Sequence, residues 1–199
     1  MLNLYSEENA LRVLEENAAQ IDEICGECGL PPAYLRAVLM MELTRMDILD
    51  PLADTVVAVN WLGAPLLRPA AEDKNPLHKL DSSTGPGQIF SSVAIQAIRF
   101  ARERGVSVAA IRDLRAELSE DDPEDLRLVW RRLNRDKVFN ISCAALNLLH
   151  CAWQMTGRVA FDSYSPQEIK LIFTRYNADV KHITAYGEEA YAWYLRFSK

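Results

Sequence analysis

The chain has 199 residues, of which 49% are hydrophobic and 25% charged, the balance of a protein with a sizeable buried core. A formal net charge of −6 argues against a general nucleic-acid binder, which needs a basic stripe. No apolar run reaches the roughly 18 residues of a membrane span, so no membrane insertion is expected.

The elements read as helices throughout. Residues 1–8 lack a basic and apolar leader, so no signal peptide is expected. The chain is then cytoplasmic, exported by another route, or a piece of a longer secreted or phage-borne protein. An N-terminal helix within residues 1–29 runs over 6–28, capped by Ser6, with Leu11, Leu14, Ala18, Ile21 and Cys25 at helical spacing. Gly29 ends it and Pro31-Pro32 opens a second helix to about Met46. A short third helix covers 55–62. Residues 63–81, with Gly63, Pro65, Pro69 and Pro76, form an irregular insertion. A tight loop over 83–88 leads into a helix over 91–104. Helices over 108–118 and 123–134 come next, then one over 141–155 capped by Asn140. Ser165 and Glu168 form a capping box for a helix over 166–176, and a last helix spans 187–197. With no strand pattern, the fold class is all-α, in a single domain over 1–199.

The four cysteines, Cys25, Cys28, Cys143 and Cys151, read as semi-buried thiols or an incidental disulfide rather than a zinc site. His78, His150 and His182 share no helical spacing, so no metal and no cofactor is expected. No phosphate loop, dinucleotide fingerprint or nucleophile elbow occurs.

Glu42 is the outstanding residue. It shares a helical face with Val38 and Leu39 in a segment that otherwise reads as buried. An apolar face disfavours its ionised form, which suits a general acid. The plainer reading is a rim acid paired with Arg45 or another base.

Three further segments follow Glu42 in order: Gly85-Pro86-Gly87-Gln88-Ile89, Asn140-Ile141 and Tyr176-Asn177-Ala178. The order resembles the lysozyme-like superfamily, specifically the lytic transglycosylases and goose-type lysozymes, over nearly the whole chain. In that family a helical Glu precedes Gly-Leu-Met-Gln-Ile, then Asn-Ile, then Ala-Tyr-Asn-Ala-Gly. The resemblance implies a lysozyme-like multi-helix domain with a cleft, acting on the peptidoglycan glycan strand between N-acetylmuramic acid and N-acetylglucosamine. It makes Glu42 the catalytic acid/base, with Ser83, Gly87, Gln88, Tyr176 and Asn177 binding substrate. The chain departs from the pattern in its long 63–81 insertion, in Pro86-Gly87 for Leu-Met, and in Asp179 for the last Gly. Action at the cell envelope is implied, and no oligomeric state is.

A hydrolase needs a second carboxylate. The candidates are Asp47, Asp50, Asp54 and, by position, Asp81. A lytic transglycosylase needs none, because the sugar's own 6-hydroxyl attacks. Tyr176, Trp61, Trp193 and Tyr194 are available for stacking on sugar, whereas Trp153 is expected in the core. The rival to an enzyme is a non-catalytic helical module that binds glycan or a protein, which suits the negative charge and the Gly-Pro-Gly variant.

Overall fold

A computed structural model describes residues 4–47, 50–63 and 80–199. Most of the 63–81 insertion, His78 included, lies outside the described residues, as does the side chain of Asp50. Among the described residues the chain forms nine α-helices and two short 3-10 turns, with no β-strand, so the all-α class holds. The helices are α1 (Glu7–Glu16), α2 (Ala18–Cys28), α3 (Pro32–Arg45), α4 (Asp50–Gly63), α5 (Ser91–Glu103), α6 (Pro123–Arg135), α7 (Lys137–Thr156), α8 (Pro166–Asn177) and α9 (Ala185–Phe197).

The helix α7 is the axis of the molecule. Residues 139–149 on it are all buried, and α2, α3, α5, α6 and α8 pack around it. Such a stretch is mostly apolar around its whole circumference because neighbours cover it on several sides. The same holds for α3, which buries Ala33, Tyr34, Leu35, Ala37, Val38, Leu39, Met40, Met41 and Leu43. Helix α9 lies against α3 and α8, and α1 against α3. Among the described residues no helix is long and apolar enough to cross a membrane.

Three expectations are corrected. The single helix over 6–28 is two, broken at Asn17 (φ −108°, ψ 10°). The buried Asn17 amide donates to the Val13 carbonyl at 2.6 Å, taking the acceptor that its own backbone N–H would use in a continuous helix. The helix expected over 108–118 is only a 3-10 turn, Ala109–Ile111. Arg102 reaches over from α5 and donates to the carbonyls of Ile111, Leu114, Arg115 and Ala116, which holds them away from a helical ladder. Lastly, Asn140 does not cap α7. Asp136 does, accepting from the Phe139 N–H at 3.0 Å, and Asn140 lies within the helix, fully buried.

The other start signals act as read. Pro32 opens α3, Pro123 opens α6, and Ser165 with Glu168 forms the capping box of α8; the cap of α6, Asp122, is one that sequence reasoning missed. Helix α4 begins earlier than expected and docks through Val57 and Trp61 onto Trp130 of α6, a small apolar cluster apart from the main core.

Candidate active site

The loop over 82–89 lies directly on α7, and its glycines allow this. Gly85 has φ +68°, and a Cβ there would stand 2.3 Å from the Asn140 amide nitrogen. A Cβ on Gly87 would stand 2.9 Å from the Ala144 methyl. No other residue type brings backbone so close. Asn140 clamps the loop from below: its amide nitrogen donates to the Thr84 carbonyl at 2.7 Å, and its oxygen accepts from the Gly87 N–H at 2.7 Å. The same nitrogen reaches the Leu133 carbonyl at 3.3 Å.

Asp54 of α4 fastens the loop from its other side. It accepts from the hydroxyls of Ser82 (2.7 Å) and Thr84 (2.8 Å) and from the Asn134 amide (3.1 Å). Ser82 accepts in turn from the Trp130 indole N–H. Gln88 follows at φ +42°, a left-handed backbone that a side chain rarely adopts. Its amide nitrogen donates to the Gly85 carbonyl (3.1 Å) and its oxygen accepts from the Ser83 hydroxyl (3.2 Å).

Glu42, half-buried on α3, receives a hydrogen bond of 2.5 Å from the Tyr186 hydroxyl of α9. Arg45 pairs with Glu189 at 2.8 Å and lies 4.9 Å from the centre of the Tyr186 ring. Tyr176 of α8 donates its hydroxyl to the Gly87 carbonyl at 2.8 Å. Burial, and next the charge of Glu42, push the hydroxyls of Tyr176 and Tyr186 well above the usual phenol pKa. Both therefore remain protonated donors at any ordinary pH.

Of these groups Glu42, Arg45, Gln88 and Tyr176 line a cleft of about 500 Å³. Glu42, Ser83, Gln88, Tyr176 and Asn177, chosen from separate stretches of sequence, all line it. Gly87 lies just beneath, buried, with its carbonyl engaged by Tyr176. Asp81 is elsewhere. Its two oxygens accept from the Ser91 and Ser92 N–H groups and the Ser92 hydroxyl, so it caps the start of α5 instead of lining the cleft. Asp47 and Asp54 are likewise outside the lining, and among the described residues Asp179, ion-paired to Arg175, is the carboxylate that joins Glu42 there.

The aromatic candidates largely serve other ends. Trp61 is buried. Trp193 lies under Arg196 and stacks on Phe197, and Tyr194 packs on Tyr34. Trp153, expected in the core, is 38% exposed with the Arg104 guanidinium 3.6 Å over its ring. Among the described residues Phe90, Tyr176 and the His150 imidazole are the rings of the lining.

Sequence reasoning missed Tyr186 as the partner of Glu42, because the two lie 144 residues apart and meet only through the α3–α9 packing. It also missed the wall of Asn147, His150, Gln154 and Arg175. His150 and Gln154 share one face of α7 at a spacing of four, a signal open to reading in advance.

All four cysteines are free and buried. Burial pushes the thiols of Cys25 and Cys151 up to about 12 and that of Cys28 to about 11, so they are poor nucleophiles. Among the described residues no three His, Cys, Asp or Glu side chains converge as metal ligands. Comparison with protein-family models, with curated proteins and with solved structures finds no match to this chain.

Proposed function

We propose that this protein cleaves the glycan strand of peptidoglycan between N-acetylmuramic acid and N-acetylglucosamine, as a lysozyme-like lytic transglycosylase with Glu42 as acid and base. The observation that carries this reading is the convergence of Glu42, Ser83, Gln88, Tyr176 and Asn177 on one cleft, from three distant parts of the chain. A pairing of the Glu42 carboxyl with a permanently protonated tyrosine favours one orientation of the acid. Glu42 protonates the glycosidic oxygen as the bond from C1 to that oxygen breaks. The 6-hydroxyl of the same sugar then attacks C1 and returns its proton to Glu42, leaving a 1,6-anhydro sugar. Cyclisation is the reading we take over hydrolysis because Asp54 and Asp81 are committed to the loop and to the start of α5, and Asp179, the second carboxylate of the lining, is ion-paired to Arg175.

The rival reading, a glycan- or protein-binding module, is favoured by one observation. The Tyr176 hydroxyl and the Gln88 amide are engaged by the loop itself. Mass spectrometry of digested peptidoglycan separates the two. Wild type is expected to release anhydro-muropeptides, and Glu42→Gln to lower that release at least about 100-fold. Reducing ends in the products would make the protein a muramidase. No release by a folded wild type would leave the binding module.

A further inference from the structure

The cleft wall made by α7 and α8 carries a cation that the proposed acid chemistry does not use. Arg175, near the end of α8, lines the cleft with its side chain 21% exposed. Its Nε donates to the Gln154 amide oxygen at 2.7 Å, and the Gln154 amide nitrogen meets His150 Nε2 at 3.1 Å. His150 lies on the Phe100 ring with centroids 4.9 Å apart, and burial, then the Arg175 cation, lowers its pKa. The guanidinium is thus oriented from this side by neutral groups, which bring no negative charge to it.

Among the described residues its ion pair is with Asp179, whose side chain is 91% exposed. A pair with so exposed a carboxylate is weak and readily exchanged. The second terminal nitrogen of Arg175 has no hydrogen bond among the described residues. A guanidinium with donors to spare is suited to a two-pronged grip on a carboxylate. The other cation of the lining, Arg45, is held by Glu189 and the Tyr186 ring.

We infer that this wall is a carboxylate-recognition site, at which Arg175 exchanges the carboxylate of Asp179 for one carried by the ligand. The inference rests on the glycan reading above and narrows it to strands with a free carboxylate beside the scissile linkage. The lactyl group of an unsubstituted muramyl sugar and the acidic residue of a muramyl peptide both offer one.

Calorimetry on Glu42→Gln protein, which holds substrate without turning it over, tests this with four ligands. They are a neutral N-acetylglucosamine oligomer, a peptide-free alternating strand, a peptide-bearing strand, and the peptide-bearing strand with its carboxylates amidated. Strands with a free carboxylate are expected to bind about tenfold more tightly than the neutral oligomer, with the preference abolished by adding Arg175→Gln. Adding Asp179→Asn, a change at an exposed position, is expected to tighten carboxylate binding about threefold by removing the competitor. The carboxylated strand that loses more on Arg175→Gln identifies the source. Equal affinity for neutral and carboxylated strands, or a preference that survives Arg175→Gln, or weaker binding in Asp179→Asn, overturns the inference while the glycan reading stands. Binding of no strand by folded protein overturns both.

Discussion

Two irregular stretches of this molecule are each held by one side chain from a neighbouring helix, and they are held differently. The loop over 82–89 is gripped by Asn140, a neutral amide that is fully buried and makes three side-chain hydrogen bonds. The stretch after Ala109–Ile111 is gripped by Arg102, a partly exposed cation that makes four. The larger number of bonds does not mean the stronger hold. Carbonyls released by Arg102 can turn to water, whereas groups released by Asn140 are sealed between loop and helix. The difference suits their positions, since one clamp shapes the cleft and the other only fastens a surface turn.

The largest test of that contrast is Asn140→Ala, which strands the Gly87 N–H and the Thr84 carbonyl away from solvent. A loss of about 3 kcal/mol or more is expected in urea unfolding, together with loss of glycan binding. Arg102→Ala is expected to lose only about 1 kcal/mol and to leave the cleft intact. Equal losses from the two substitutions would break the comparison. The smallest effect sharpens it, using a charge cluster at the surface. Glu168 accepts from the Ser165 backbone N–H, pairs with Arg158 and accepts from the Ser165 hydroxyl, and these contacts lower its pKa from 4.5 to about 2. A depressed carboxylate stabilises the fold above its unfolded pKa and loses that contribution as pH falls through the folded value. The stability advantage of wild type over Glu168→Gln is therefore expected to be constant above pH 4.5 and to fade toward about 2, as read from urea midpoints across that range. An advantage independent of pH would mean that the capping box acts by shape and not by charge.

What was legible in the sequence was whatever is local. Helix starts at Ser6, Pro32, Pro123 and Ser165 rest on signals within a few residues, and the all-α class followed from them. The spacing of Gly85, Gly87 and Gln88 marked a tight loop, and Glu42 stood out as an acid on an apolar helix. What was not legible depended on competition or distance. Asn140 and Asp136 are both good caps, and only the docking of the loop shows that Asn140 has other work. Nothing within 108–118 reveals that Arg102 captures its carbonyls. Asp81 resembled a catalytic base by position, yet it sits where α5 needs an acceptor for its first N–H groups.

The hydrogen bonds that build the cleft join residues 53, 56, 89 and 144 positions apart. Helices, by contrast, close their bonds over four. Bonds of such long span form only after the intervening chain has been gathered, and the entropy of closing those loops must be met first. Assembly therefore has an order. The individual helices, closed over four residues, are expected to form before Asn140 can seize the loop or the packing of α9 on α3 can bring Tyr186 to Glu42. A refolding chain is therefore expected to regain its helical signal early and the long-span contacts of the cleft, which need the last helix, late.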